Sequence, residues 1–372
     1  MTGVRDVAIV GTGLLGLAAA RALTGRGRDV VVLEQAQIGH EGAGSKGSCR
    51  IFRLGYPDPD YVAAARRAGD LWRDLEAESG QQLRWPAPQL SFGSGMPAVR
   101  HALQAAGVPG ELLPTAEVAA RFPALRVDGP ALLEPDSAAI AADRALEVLA
   151  ARAGEIRTGV RVLRLADDGS RVTLHTSAGP VTARTAIVTA GPWSRGLLGP
   201  LGVALPTTAT LEQVGYLRPT AIPPGSGAVG PPIFICHDDQ SPYGLPVPGS
   251  PLYKIGMHTS GRRTDPDAQD QSPDPELISR LSRIAARLLP GYDPEPAATE
   301  RCVYDNTPDE DFVVDRIGNV VIGCGTSGHG FKFGPLFGEW LADLATGAAD
   351  APDPGLRARF AAGRFASPGW AV

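Results

Sequence analysis

Three glycine-rich stretches of this 372-residue chain carry side chains that can do chemistry. Residues 301–333 read RCVYDNTPDEDFVVDRIGNVVIGCGTSGHGFKF, with Cys302 near one end and Lys332 at the other. Their centre, residues 319–325, is a short apolar run that predicts a buried strand, and the glycines after it let backbone approach a ligand closely. Helical spacing follows over residues 334–345. Strand, glycine loop and helix together suit an anion, because a helix start offers unpaired N–H groups and partial positive charge. Lys332 adds a full charge. Residues 40–56, HEGAGSKGSCRIFRLGY, end in Arg50 and Arg53. A guanidinium grips a carboxylate bidentately and stays protonated at any working pH, so arginine fits that task. Residues 6–34, DVAIVGTGLLGLAAARALTGRGRDVVVLE, set Gly11, Gly13 and Gly16 between a predicted strand at 7–10 and a predicted helix at about 14–26. A second strand at 30–33 ends in Glu34. The glycines permit a tight turn, close approach to a pyrophosphate and helix-to-strand packing, while the acid accepts hydrogen bonds from a ribose. Glu34 argues against a 2′-phosphate, which makes NADP the poorest ligand and leaves NAD and FAD open.

These groups need elements to hold them. At about 150 residues per domain the length suggests two or three domains. The net charge of −5 is interspersed, with no basic block, which argues against nucleic acid or an anionic membrane as partner and for a small ligand. Cysteines 49, 236, 302 and 324 form no CxxC spacing, the start MTGVRDVAIV lacks signal-peptide features, and no apolar run approaches the roughly 18 residues of a membrane span. A reducing cytoplasm is the expected location. Residues 61–79 predict a packing helix with Val62, Ala65, Ala68, Leu71, Trp72 and Leu75 at the helical period. A strand begins at 90–92, and short surface helices are expected at 96–107 and 115–121. Residues 134–136 read as a loop feeding a helix over 138–149. A hairpin is expected from 160–166 and 172–176, and a strand at 181–189 leads into AGPWS at 190–194. Between 205 and 259, TLEQVGYLRP, PPIFICHDD, SPYGLPVPG and SPLYKIGMHT predict a mainly antiparallel sheet. Period two sends Lys254 to the face opposite Tyr253 and Ile255. Residues 274–289 form an amphipathic helix, and Phe360 to Trp370 are expected to pack back on the fold.

Cys302 followed by VYDNTPDEDFVVD, the SGHGFKF loop and YGLPVPGSPLYKIGMH together resemble monomeric sarcosine oxidase and N-methyltryptophan oxidase, flavoenzymes of the D-amino-acid-oxidase superfamily. The resemblance covers nearly the whole chain and is strongest at 6–56, 243–258 and 302–333, with a shortening of about three residues around 316–319. It implies an α/β fold: a Rossmann-type FAD-binding domain from 1–80, 135–200 and 300–372, and an α+β substrate domain with a mainly antiparallel sheet from 81–134 and 201–299. It implies FAD attached covalently through Cys302, Arg50 beside the flavin ring, and Arg53 and Lys332 on a substrate carboxylate. Lys254 would contact flavin N5 through water and speed the reaction with oxygen, with Tyr243 and His258 around substrate and flavin. Cofactor contacts are expected from Gly11, Gly13, Leu14, Leu15, Gly16 and Glu34 in the first motif, and from Ser45, Ser48, Cys49 and Arg50 in the second loop. Val160, Ala190, Gly191 and Trp193 join them, with Gly325, Gly328, His329, Gly330, Phe331 and Lys332 at the end. The implied reaction oxidises a secondary or N-methyl amino acid to an imine, passes the hydride to FAD and turns oxygen into hydrogen peroxide, in a monomer with no metal. Two rivals stand beside it: an oxidase of a cyclic imino acid in specialised metabolism, and a flavin dehydrogenase that hands electrons to a partner.

Overall fold

Runs such as VAIV, VVVL and VVIGC have no polar face, and strands of that kind are stable only with both faces covered. A computed structural model, which describes residues 3–220, 231–268, 272–347 and 351–366, places them in one sheet. Arg5–Val10 is its centre, paired in parallel with Val30–Leu33 on one side and Gly179–Val188 on the other. The far edge of Gly179–Val188 is divided: its first half pairs antiparallel with Val172–Thr176 and its last residues pair in parallel with Val320–Cys324. Alternation along the central strand then sends Val7 and Ile9 to one core and Ala8 and Val10 to another. The first core is closed by the helices Leu14–Gly25, Pro59–Ser79 and Gly334–Thr346. Pro59–Ser79 starts where the Asp58 carboxylate accepts a hydrogen bond from Asp60 N (2.8 Å) and stops at Gly80, whose φ of 64° ends it. Its stripe buries Val62, Ala65, Ala68, Trp72 and Leu75, with Leu71 half-buried at the edge.

The second sheet is built on the long strand Thr208–Leu217, which pairs antiparallel with Tyr253–Met257 and Ala298–Asn306. Pro242–Pro246, Ile233–Cys236, Gln89–Phe92 and Ala131–Glu134 continue it. The helix Pro275–Leu288 lays Leu277, Leu281, Ile284, Ala285 and Leu288 on one face of this sheet, with Asp274 capping its start.

Two expectations change. Residues 138–141 are a strand, not the first turn of a helix, which runs Ala142–Ala150. They pair with Cys49–Phe52 on one edge and Arg84–Pro86 on the other, and pairing on both edges overrides the helical preference of alanine. The resemblance puts the strand with Cys302 in the first domain, yet Ala298–Asn306 is hydrogen-bonded along its length to the second sheet, and the chain enters the first only after Asn306. The shortened stretch at 316–319 is a tight hairpin, Ile317 opposite Val320, with Gly318 (φ 58°) first in the two-residue turn. Asp167 pins it, accepting from Asn319 N and Nδ2 at 2.9 Å each. Of the chain's end, Phe360 and Phe365 are buried; Trp370 lies outside the described residues. Among the described residues no helix is long and apolar enough to cross a membrane, and no cluster of three or more His, Cys, Asp or Glu side chains could hold a metal.

Candidate active site

The turn after the first strand is fixed by crowding. A Cβ on Gly11 would lie 2.6 Å from Thr189 O, and one on Gly16 would strike Gly11 O, so helix and strand meet at backbone distance. The helix that follows has no side-chain cap of its own at Gly13; Leu14 N donates to Ser45 Oγ at 3.0 Å. Glu34 at the end of the second strand is 5 % exposed and accepts from Thr12 N (2.9 Å), Thr12 Oγ1 (2.8 Å) and Ala36 N (3.0 Å).

These groups open onto a cavity of about 940 Å³. Gly11, Gly13, Leu14, Leu15 and Glu34 line one end; Ser45, Val160, Ala190, Gly191 and Trp193 line its flank. The Trp193 indole N–H donates to Asp267 Oδ1 at 2.9 Å. The far end is walled by Arg50, Tyr304, Gly328, Gly330 and Phe331, and four of these, all but Gly330, also wall a second cavity of about 330 Å³. Both volumes fall in the range of roughly 300–1,000 Å³ usual for cofactor and substrate pockets. A dinucleotide fits the larger one: a bare helix start and glycine turn for the pyrophosphate, a buried carboxylate for the ribose, and an open junction for a ring.

The second cavity gathers Arg53, Tyr243, Lys254, His258, Cys302, His329 and Lys332, from segments up to 279 residues apart (332 − 53). Arg53 stacks 4.4 Å over the Tyr56 ring and donates from Nη1 to Gly55 O at 2.6 Å. Lys332 is 5 % exposed and donates from Nζ to Tyr56 Oη (2.9 Å) and His329 O (2.6 Å). Burial, then the charge of Arg53, pushes the Lys332 amine well below its ordinary pKa. Tyr56 Oη lies 3.2 Å from His329 Nδ1, and His329 Nε2 lies 3.0 Å from Glu310 O. A carbonyl can only accept, so Nε2 carries the proton and Nδ1 accepts a hydrogen bond donated by the Tyr56 hydroxyl. Burial pushes the His329 imidazole well below its usual pKa, and pushes His258 down to about 4 with help from Arg53 and Lys332. Both rings are neutral at neutral pH.

At the other end of this cavity Lys254 is 4 % exposed, with Nζ 3.1 Å from Cys49 O; its strand neighbours Tyr253 and Ile255 face the opposite core. Burial and the Arg50 charge lower its pKa. Arg50 donates to the carbonyls of Cys49 (2.9 Å), Gly44 (3.1 Å) and Lys46, and lies 5.5 Å over the Phe331 ring. Burial raises the Cys302 thiol pKa, while Arg50 and Lys254 pull it back down. Tyr243 packs its hydroxyl end against Gly256.

Not every expected residue reaches a cavity in this way. Gly16 and Gly325 line neither one: Gly325 N donates to Asp305 Oδ2 at 2.6 Å and its missing Cβ leaves room for Thr307. Ser48 turns to Tyr216 Oη (2.8 Å), which in turn donates to Glu300. Cys49, Cys302, His329 and Lys332 line only the second cavity.

Sequence reasoning passed over four residues that organise the site. Tyr56 joins the two cations, and Tyr304 walls both cavities. Asp305, 4 % exposed, accepts from Gly325 N, Thr326 N (3.0 Å) and Thr326 Oγ1 (2.8 Å), and so holds the glycine loop open. Glu134 sits buried behind Arg53. A signal existed for Tyr304, since a residue two places beyond Cys302 on a strand shares its face. The Tyr304 ring also rests on Gly328, which has φ 72° and no room for a Cβ. Gly328→Ala is therefore expected to lower the melting temperature, by the about 1–2 kcal/mol of a left-handed alanine plus the displaced ring; an unchanged melting temperature would contradict this packing.

The family model described as FAD dependent oxidoreductase (DAO) matches residues 6–344. Peroxisomal sarcosine oxidase of Mus musculus is 33% identical over 361 residues, covering 91% of this chain and 92% of its own. Monomeric sarcosine oxidase of Bacillus sp. (strain NS-129) is 30% identical, covering 92% of each. Among solved structures, the open form of NikD, described as an unusual amino acid oxidase essential for nikkomycin biosynthesis, superposes with a TM-score of 0.85 at 26% identity, covering 97% of this chain and 98% of that one. A match that begins in the first strand and ends in the helix behind the glycine loop takes in both walls of the larger cavity, and this chain belongs to the DAO family of FAD-dependent oxidoreductases.

Proposed function

We propose that the protein is an FAD-dependent oxidase of a secondary or N-methyl amino acid, sarcosine being the simplest, that releases hydrogen peroxide and an imine hydrolysed by water. One observation carries this reading: Arg53 and Lys332 converge on Tyr56 inside a cavity that opens on the cofactor cavity through Arg50, Tyr304, Gly328 and Phe331. An arginine beside a lysine whose buried amine gains its charge from an anionic partner calls for an anion, and an amino-acid carboxylate is the small anion that carries an oxidisable amine. Gly11, Gly13, Leu14, Ser45 and Glu34 would hold the nucleotide half of FAD, with Arg50 and Phe331 beside its ring. Bound there, FAD supplies a two-electron hydride acceptor.

The protein's own groups do the rest. Arg53 and Lys332 orient the carboxylate and favour the neutral amine, whose nitrogen lone pair must assist loss of hydride from the adjacent carbon. His258 and His329, both neutral, and Tyr243 shape the space around the amine without adding charge. Lys254 offers a fixed cation where charge develops on oxygen during its reduction. Its burial argues for oxygen as acceptor over a partner protein. The working form is read as a monomer, as in the monomeric sarcosine oxidase of the Bacillus relative. A cyclic imino-acid substrate in specialised metabolism is the second reading, supported by the NikD superposition. Peroxide release over a panel of N-methyl and cyclic amino acids separates the two: turnover of sarcosine or another N-methyl amino acid is expected, and turnover of cyclic substrates alone would favour the second.

Cys302 is proposed to carry the flavin covalently. Supporting this, it faces the second cavity beside Arg50 and Lys254; burial raises its thiol pKa, and these two charges work against that rise, toward the nucleophilic thiolate. Denatured protein on a gel is expected to keep its flavin fluorescence and Cys302→Ser to lose it. Colour that washes out of the wild-type protein on acid precipitation would overturn the assignment.

A further inference from the structure

Arg53 does not face the cavity without an opposite charge behind it. Its guanidinium donates to Gly55 O, and Gly55 N donates to Glu134 Oε2 at 2.7 Å, so the loop that carries Arg53 is seated on a carboxylate of the second sheet. The seat is tight: a Cβ on Gly55 would meet Glu134 Oε2 at 2.6 Å, and only glycine lets the carboxylate reach that backbone. Glu134 is 3 % exposed and its other oxygen accepts from Gln89 Nε2 (2.8 Å) and Ser91 Oγ (3.1 Å). Ser91 Oγ is in turn 3.2 Å from Nε2 of His237, a ring that lines the substrate cavity. Burial raises the Glu134 pKa; the charge of Arg53, then the hydrogen bonds from Gly55, Ser91 and Gln89, work the other way, and a carboxyl that meets three donors through its two oxygens is placed to accept as a carboxylate. A buried acid held by neutral donors alone has little reason to be an acid. Here it has a cation to balance.

We propose that Glu134 is the internal counter-ion of Arg53 and, as a positioning residue, sets how tightly the site holds a substrate carboxylate. It rests on the carboxylate-binding reading of Arg53. An anion in the cavity is attracted by Arg53 and repelled by Glu134 from behind, so part of the arginine's field is already spent before substrate arrives. Such tuning keeps an anionic product from being trapped between two cations. It also ties substrate grip to the junction of the two sheets, because Arg53 comes from the loop after Cys49–Phe52 and Glu134 from the end of Ala131–Glu134.

The test is binding, measured by calorimetry on the flavin-loaded protein with propanoate and its neutral analogue propanamide. Wild type is expected to bind propanoate more tightly than propanamide. Glu134→Gln, which keeps shape and an acceptor for Gly55 N, is expected to bind propanoate about tenfold more tightly than wild type, the size of one unit-charge interaction over roughly 10 Å inside a protein, and to leave propanamide unchanged. Glu134→Asp keeps the charge and is expected to stay near wild type for propanoate even if its melting temperature falls. A purely structural role predicts weaker binding in both variants, and that result, or equal affinity of Glu134→Gln and wild type, overturns the proposal. If wild type does not distinguish propanoate from propanamide, the carboxylate reading of Arg53 falls and this inference with it.

Discussion

Arg53→Met and Lys332→Met are each expected to lower kcat/KM for an N-methyl amino acid by roughly 30-fold to several thousandfold, the about 2–5 kcal/mol lost when one partner of a buried charge pair is removed. The two losses differ in kind. Arg53 is balanced from behind by Glu134, whereas Lys332 donates to the neutral acceptors Tyr56 Oη and His329 O, and burial, then Arg53, pushes its pKa well down. A carboxylate arriving beside Lys332 favours its charged form, so binding takes up a proton. The sign follows: grip on the carboxylate is full below the Lys332 pKa and weakens as pH rises through it. The amine of the bound substrate has the opposite requirement, since only its deprotonated form assists hydride loss. So kcat is expected to rise with pH, while kcat/KM passes through a maximum whose alkaline limb reports Lys332. Lys332→Met is expected to remove that contribution to the alkaline limb. If both Met variants oxidise an N-methyl amino acid as well as wild type does, or if wild type prefers the decarboxylated amine, the substrate is not an amino acid.

Lys254→Met is expected to slow reoxidation by oxygen about a hundredfold to a thousandfold in stopped flow, the roughly 3–4 kcal/mol that one preorganised group contributes in comparable sites, while anaerobic reduction stays comparatively fast. The asymmetry comes from placement. Lys254 lies by Cys49, Arg50 and Cys302, whereas Arg53 and Lys332, the proposed carboxylate partners, lie around Tyr56. Equal slowing of both half-reactions would move Lys254 from oxygen to substrate.

What could be read from the sequence was local. Gly11, Gly13 and Gly16 announce their turn by spacing within one strand and one helix, and the closest approach, a Cβ on Gly16 against Gly11 O, lies inside that short stretch. The stripe Leu277, Leu281, Ile284, Ala285 and Leu288 is one face of one helix and repeats its own period. Lys254 could be aimed because a strand alternates. The residues missed act across distance in the chain. Glu134 means nothing until residue 55 is laid beside it, and Asp305 points away from the cysteine face of its strand, toward a loop some 20 residues later. The stretch 138–141, three alanines around Ile140, is too alanine-rich to signal a strand on its own, since the pairing that makes it one comes from residues 49–52 and 84–86. Tyr56, three residues from Arg53, was near enough to notice, but only the fold shows Lys332 arriving at its hydroxyl.

Amine electrons are proposed to pass from a carboxylate-bearing substrate to FAD and on to oxygen in this one cavity pair. This transfer is tested most directly by mixing the purified yellow protein with sarcosine and with other N-methyl amino acids without air, following the flavin absorbance, then admitting oxygen and measuring peroxide. Bleaching by at least one of these amino acids is expected, with full return of colour in air and one peroxide per flavin reoxidised. A flavin that no N-methyl amino acid bleaches, or one that stays bleached in air, would contradict it.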